Sequence, residues 1–274
     1  MTDILSIGVL GADGRMGKAV IAAISNAPQT RLSAAITAPS SPHLGADAAE
    51  VAGLPASSFD SPIILSSDIS AALDKCDVLI DFSSPKAAID AALAMHGSRC
   101  QTFVTGTTGY SDIEETALME AGASISLLKS GNFSLGVNML EALVELAANK
   151  LRSGWDIEIL DMHHKHKVDA PSGTALMLGQ AAAKGRGKPL SELQVLSREG
   201  QTGARGEGYI GFAALRGGGV IGSHEVRIAS ELEMITLSHD AFDRSVFASG
   251  AVTAAIWAAS QPKGVYDMKD MLGL

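Results

Sequence analysis

Ile4-Leu5-Ser6-Ile7-Gly8-Val9-Leu10-Gly11-Ala12-Asp13-Gly14-Arg15-Met16-Gly17 stands near the start of the chain and decides its fold class. Residues 4–10 are apolar, partly β-branched and end in glycines, which predicts a buried strand. Residues 15–26 are rich in Ala and Ile and predict a helix. Between them Gly11, Gly14 and Gly17 keep a Gly-x-x-Gly-x-x-Gly spacing, a variant of the dinucleotide fingerprint. The chemistry needs glycine because the strand must turn tightly and the backbone must approach a pyrophosphate. The N–H groups that open the helix can then bind it. Gly11, Ala12, Asp13, Gly14, Arg15, Met16 and Gly17 are therefore cofactor-binding candidates; an ordinary glycine turn is the alternative.

Outward from this stretch, strands are expected at 32–37, 77–82, 102–105 and 124–128, with helices at 85–96 and 111–121. Residues 38–62 carry Pro39, Pro42, Pro55 and Pro62 and are expected to be irregular. Strands alternating with helices imply right-handed crossovers and a Rossmann-like, doubly wound parallel sheet. The pattern changes after residue 133. Val137, Leu140, Leu143, Val144, Ala147 and Leu151 recur at helical spacing. Strand-like runs follow at 156–162, 194–197, 209–215, 220–230 and 233–239, with Gly217-Gly218-Gly219 expected to form a hairpin turn. This predicts an α+β domain with a mixed or antiparallel sheet over 134–240. Residues 1–133, completed by 241–274 with a helix at 241–259, form the other domain.

The 274 residues carry 21 Lys+Arg against 30 Asp+Glu, and the formal charge of −9 argues against sequence-independent nucleic-acid binding. Apolar residues make up 46% and charged ones 19%, which suits a globular chain with a full core. Met1-Thr2-Asp3 lacks the basic start of a signal peptide, and no apolar run reaches the ~18 residues of a membrane span. A cytoplasmic protein is expected. Cys76 and Cys100 do not make a disulfide framework and are read as small buried residues.

Twenty positions after Gly17, where dinucleotide folds place an acid for the adenosine 2′-hydroxyl, stands Thr37. Without that carboxylate a 2′-phosphate is not repelled, and Arg15, Thr37, Ser40 and Ser41 offer donors to one. The expectation is NADP(H), with NAD(H) as the alternative.

His163-His164-Lys165-His166-Lys167 is the second informative stretch, followed by Val168-Asp169-Ala170-Pro171-Ser172-Gly173-Thr174. A zinc site and a solvated surface run are two readings of the cluster. The third is an anion-binding, proton-donating site. It is supported by Pro171 and Ser172, which start helices and so place the Gly173-Thr174 N–H groups at a helix N-terminus. Two lysines and three imidazoles beside such a terminus suit a small dicarboxylate. No acid falls within 163–167, so an acidic protein carries a local cationic pocket.

Gly11-Ala12-Asp13-Gly14-Arg15-Met16-Gly17, Gly106-Thr107-Thr108-Gly109, Asn132-Phe133-Ser134 and above all residues 163–175 resemble the 4-hydroxy-tetrahydrodipicolinate (dihydrodipicolinate) reductase family of bacterial diaminopimelate and lysine biosynthesis. Ser197-Arg198-Glu199-Gly200 and Ile210-Gly211-Phe212 extend the resemblance over nearly the whole chain. It implies an NAD(P)H-dependent reduction of 4-hydroxy-tetrahydrodipicolinate to tetrahydrodipicolinate, with loss of water. It also implies a nicotinamide pocket at Gly106, Thr107, Thr108, Ser130, Gly131, Asn132 and Phe133. His163 matches the family's general acid/base and Lys167 its proton donor; His164, Gly173 and Thr174 match substrate-binding positions. A homotetramer assembled through the second domain is implied as well. The family often carries Glu then Arg where this chain has Thr37 and Ala38. The competing classes are a non-catalytic dinucleotide sensor, a metal-dependent hydrolase and a cysteine-dependent semialdehyde dehydrogenase.

Overall fold

The computed structural model describes residues 4–274; residues 1–3, where the signal-peptide reading begins, lie outside the described residues. The chain divides into two compact units, residues 4–133 with Ser245–Leu274, and Ser134–Arg244. The first stretch runs β1 (Leu5–Leu10), α1 (Arg15–Ser25), β2 (Thr30–Ile36), α2 (Ala48–Val51), β3 (Leu65–Ser66), α3 (Ile69–Leu73), β4 (Val78–Asp81), α4 (Pro85–Ala94), β5 (Thr102–Thr105), α5 (Asp112–Gly122) and β6 (Ser126–Lys129). The second unit holds α6 (Leu135–Lys150), β7 (Asp156–His163), α7 (Gly173–Arg186), α8 (Leu190–Leu193), β8 (Gln194–Val195), β9 (Ile210–Arg216), β10 (Gly222–Ala229) and β11 (Met234–Ala241). The chain then returns to the first unit through α9 (Ser245–Ala258), β12 (Gly264–Tyr266) and α10 (Met268–Leu272).

In the first unit seven parallel strands lie in the order β12-β6-β5-β4-β1-β2-β3. Alternate residues enter opposite cores. Ile7, Val9, Val78, Ile80, Val104 and Leu128 pack with α1 and α9, while Leu10, Leu79, Phe103 and Leu127 pack with α4 and α5. Burial on both faces explains why these strands read as continuous apolar runs and not as alternating ones. Cys76 and Cys100 are free thiols, both buried in the second of these cores. Within 38–62 the chain is largely irregular but includes α2, started by Asp47, whose carboxylate accepts the Ala49 N–H at 2.8 Å.

The second unit is a five-stranded mixed sheet, ordered β11-β10-β7-β9-β8. Ile157, Ile159, Val226, Ile228, Ile210 and Phe212 turn one face toward Leu140 and Val144 of α6 and Leu178 and Ala182 of α7. The expected hairpin at Gly217-Gly218-Gly219 is not one. β9 and β10 are not neighbours; β7 lies between them, parallel to β9 and antiparallel to β10. The glycines instead carry the chain over the end of β7, where Gly217 N–H donates to His163 O at 2.9 Å and His164 N–H to Val220 O at 2.7 Å. The helix expected from residue 241 starts at Ser245, because β11 pairs with β10 through Ala241.

Candidate active site

In the first unit, β1 turns into α1 through Gly11, whose φ of +76° falls in the left-handed region that favours glycine. A Cβ on Gly17 would stand 2.1 Å from Gly11 O, so the first turn of α1 presses directly on the loop. Gly14 is the N-cap and brings no side chain to the first N–H groups of α1, which suits a phosphate. Strand order reverses between β1 and its neighbour β4, where such folds open a crevice at the strands' carboxyl ends. A cleft of about 550 Å³ lies there, with Gly11, Asp13 and Gly14 on one wall, Phe82, Ser83 and Ser84 on another, and Thr37, Ala38 and Pro39 beyond β2. The structure thus brings the glycine loop and Thr37 to one cleft. Of the donors read for a 2′-phosphate, Ser41 is already bonded, its hydroxyl donating to Asp13 Oδ2 at 2.5 Å. Burial alone would raise the Asp13 pKa, but the Ser41 hydroxyl helps hold it below the usual carboxylate value.

The two stretches expected at a nicotinamide meet beyond β5 and β6. Ser130 N–H donates to Thr105 O at 3.1 Å, and Ser130 Oγ donates to Asn132 O at 2.8 Å. Gly106 packs so tightly on Phe82 that a Cβ there would enter the ring at 2.1 Å, and Phe82 meets Phe133 edge-on at 5.6 Å. Asp81, fully buried at the end of β4, ties these loops together. Its carboxylate accepts Ser83 N–H at 2.9 Å and Thr105 Oγ–H at 2.7 Å, while Ser83 N–H also reaches Thr107 Oγ1 at 3.0 Å. Burial raises the Asp81 pKa above its ordinary value, outweighing these hydroxyls. Sequence reasoning missed Asp81 and Phe82; an acid ending a buried strand was the available signal.

In the second unit, alternation along β7 puts Asp161 and His163 on the same buried face as Ile157 and Ile159. Asp161 is fully buried. Its Oδ2 accepts the Ser172 N–H at 2.6 Å, and its Oδ1 pairs with Arg216 Nη1 at 2.5 Å and lies 3.6 Å from His163 Nδ1. Burial would raise the Asp161 pKa, but the Ser172 N–H and the Arg216 guanidinium bring it below the ordinary value. Ser172 is the N-cap of α7, with its hydroxyl accepting the Ala175 N–H at 3.1 Å. The start of α7, carrying Gly173 and Thr174, is thereby fastened to the end of β7, carrying His163.

His163 is pushed below its ordinary pKa of 6.5 by burial, with Lys167 and Arg216 adding to that effect against Asp161. Its ring lies edge-on to His224, at 5.1 Å between centroids. Lys167 Nζ donates to both carboxylate oxygens of exposed Asp169 at 2.8 Å. His164 turns to Arg244, with 3.3 Å between Nε2 and Nη2. Among the described residues no group of three or more His, Cys, Asp or Glu is gathered as a metal site. Asp161, Arg216 and His224 were missed by the sequence reading. Asp161 was signalled by its i, i+2 spacing to His163, whereas Arg216 and His224 arrive only through strand pairing.

The arrangement has relatives. The N-terminal dihydrodipicolinate reductase family model matches residues 5–133, and the C-terminal one matches residues 136–272. A 4-hydroxy-tetrahydrodipicolinate reductase of Sinorhizobium medicae is 51% identical over 267 residues, covering 97% of this chain and 96% of that protein. One of Nitrosospira multiformis is 45% identical over 274 residues, covering 98% of each. Among solved structures, a dipicolinate-bound dihydrodipicolinate reductase from Paenisporosarcina sp. TG-14 superposes with a TM-score of 0.78 at 25% identity, over 98% of this chain and 99% of that one.

Proposed function

This chain belongs to the dihydrodipicolinate reductase family, and from that premise we infer that it reduces 4-hydroxy-tetrahydrodipicolinate to tetrahydrodipicolinate, with loss of water, in the diaminopimelate and lysine pathway. The observation that carries this reading is the corner where the end of β7 meets the start of α7, with an imidazole, an ammonium and a helix N-terminus. A bound nicotinamide supplies the hydride. The first turn of α7 at Gly173 and Thr174, with His164, holds the substrate carboxylates. Departure of the hydroxyl as water leaves a conjugated imine, and negative charge develops in the substrate ring as hydride adds. Lys167 stabilises that charge and gives the proton. Burial pushes the His163 pKa below its ordinary value and so disfavours the imidazolium, which favours Lys167 as donor and His163 as relay.

NADP(H) is the preferred cofactor in this reading, with NAD(H) as the second. No acid stands at position 37 to repel a 2′-phosphate, although the Thr37 hydroxyl read as a donor is itself buried beside Asp13, and Arg15 is exposed on the first turn of α1. Asp13 in the same cleft works against that preference. Homotetramer assembly through the second unit fits the exposed Met234 and Ile235 of β11. No helix of the described residues is long and apolar enough to cross a membrane, and a cytoplasmic setting belongs with the rest of the proposal.

The test is an assay coupled to the aldolase-type synthase that makes the unstable substrate, run with each cofactor. Substrate-dependent loss of NAD(P)H absorbance is expected, with a higher kcat/KM for NADPH. A protein that binds dinucleotide yet oxidises neither cofactor would refute the reaction. A clear NADH preference would refute the Thr37 argument alone.

A further inference from the structure

We propose that His224 is a positioning residue for the substrate corner, acting through Ser172 on both the first turn of α7 and Asp161. The inference rests on the reductase reading above and adds to it a residue outside the His–Lys cluster. His224 lies on β10 directly opposite Asp161 of β7 in the strand register. Its ring is buried, and its Nε2 stands 3.1 Å from Ser172 Oγ. Nδ1 is buried without a hydrogen-bond partner among the described residues, so the Ser172 contact is the hydrogen bond that orients the ring, beside its edge-on packing against His163.

Ser172 is shared three ways. Its N–H is given to Asp161, its hydroxyl oxygen accepts from Ala175 N–H, and the same oxygen meets His224. A hydroxyl has one hydrogen and two lone pairs, so an added partner restricts its rotor and with it the bond from Ala175 N–H and the hydroxyl's own contact with the Asp161 carboxylate. The partner must also be uncharged, because a cation here would stand against the ring of His163. The groups facing His224 are His163 and Asp161 on β7, Lys167 beyond it, and His239 on β11. Burial first, and His163 next, bring its pKa down to about 4, so the ring is neutral at working pH. His224 thus orients the helix start without altering the charge of the corner.

The test compares His224→Leu with His224→Gln, whose amide can accept or donate where Nε2 does. With His224→Leu, KM for the substrate and Kd for dipicolinate should rise about 10-fold, near the worth of one hydrogen bond. The same variant should leave kcat within about threefold and the Kd for NAD(P)H unchanged, since losing one positioning bond removes uniform binding only. His224→Gln should bring KM and the dipicolinate Kd back to within about threefold of wild type. Should the leucine variant not fold, His224→Asn, whose amide is too short to reach Ser172, replaces it. Wild-type values in the leucine or asparagine variant overturn the proposal, as does a glutamine variant as impaired as they are, which would show a packing role. A wild type that turns over no substrate sinks the reductase reading, and this inference with it.

Discussion

Replacing Gly17 with Ala tests the glycine loop most directly. The added Cβ would lie 2.1 Å from Gly11 O and 2.7 Å from Ala12 Cα, where ordinary contact begins at 3.4 Å. Both neighbours are backbone atoms, so no side chain can rotate away, and the Gly11 carbonyl must withdraw by about 1.3 Å. Gly11 has little room to yield toward Phe82, since a Cβ placed on it would fall only 2.6 Å from Phe82 O. A shift of this size breaks at least one or two hydrogen bonds from N–H groups to a pyrophosphate, each worth about 1.5–3 kcal/mol. The Kd for NAD(P)H should therefore rise about 100-fold, measured by quenching of cofactor or protein fluorescence. Gly219 is the control: it lies in the second unit and a Cβ there meets nothing within 4 Å. Gly219→Ala should leave the Kd for NAD(P)H within about twofold of wild type. A Gly17→Ala protein that binds within threefold of wild type would refute the reasoning, and so would equal damage from the two substitutions.

Three further outcomes follow from the second unit. Lys167→Ala should lower kcat by roughly 10²–10⁴ in the coupled assay, and a near-normal kcat would remove the proton-donor assignment. Asp161→Asn takes the charged partner from Arg216, which keeps its bonds to Leu215 O and Asp169 O, and should cost about 1.5–3 kcal/mol in urea unfolding, with a fall in kcat as His163 loses its carboxylate; an unchanged midpoint would contradict this. His224 has a folded pKa of about 4, below the ordinary 6.5, so the unfolded chain takes the proton first. The stability from burying it neutral is complete above about pH 6.5 and is lost as pH falls toward 4, and His163 shifts in the same direction. Wild type should therefore lose more stability than His224→Gln between about pH 7 and 4.5, and parallel melting curves would argue against it.

Most of the first unit was legible because its signals are local. Strand, glycine turn and helix follow one another within about twenty residues, and buried parallel strands announce themselves as apolar runs. The two-residue β3 and three-residue β12 gave no such run, since short edge strands owe their state to a neighbour and not to their own composition. His163, Lys167, Gly173 and Thr174 could be read because they lie in one continuous segment. Arg216 and His224 could not, because register partners across β7, β9 and β10 are set by tertiary pairing. The mistaken hairpin has the same cause. Three glycines mark a turn, but which strands they join depends on β7, laid down more than fifty residues earlier.

The return of α9 and β12 to the first sheet has a bearing on how the protein is made. Ala248, Ala251, Val252 and Ala255 complete the core that Val20, Ile21 and Ile24 begin, and β12 closes the sheet beside β6. A chain leaving the ribosome cannot finish this core until residues 245–274 have emerged. Meanwhile β7 waits for β10 before its own pairing is complete. Such long sequence separations slow folding and leave apolar surface open to chaperones or aggregation during synthesis. A polypeptide cut off short of α9 would therefore carry every residue of the glycine loop and of the His–Lys cluster and still be a candidate for degradation, with no partly active product.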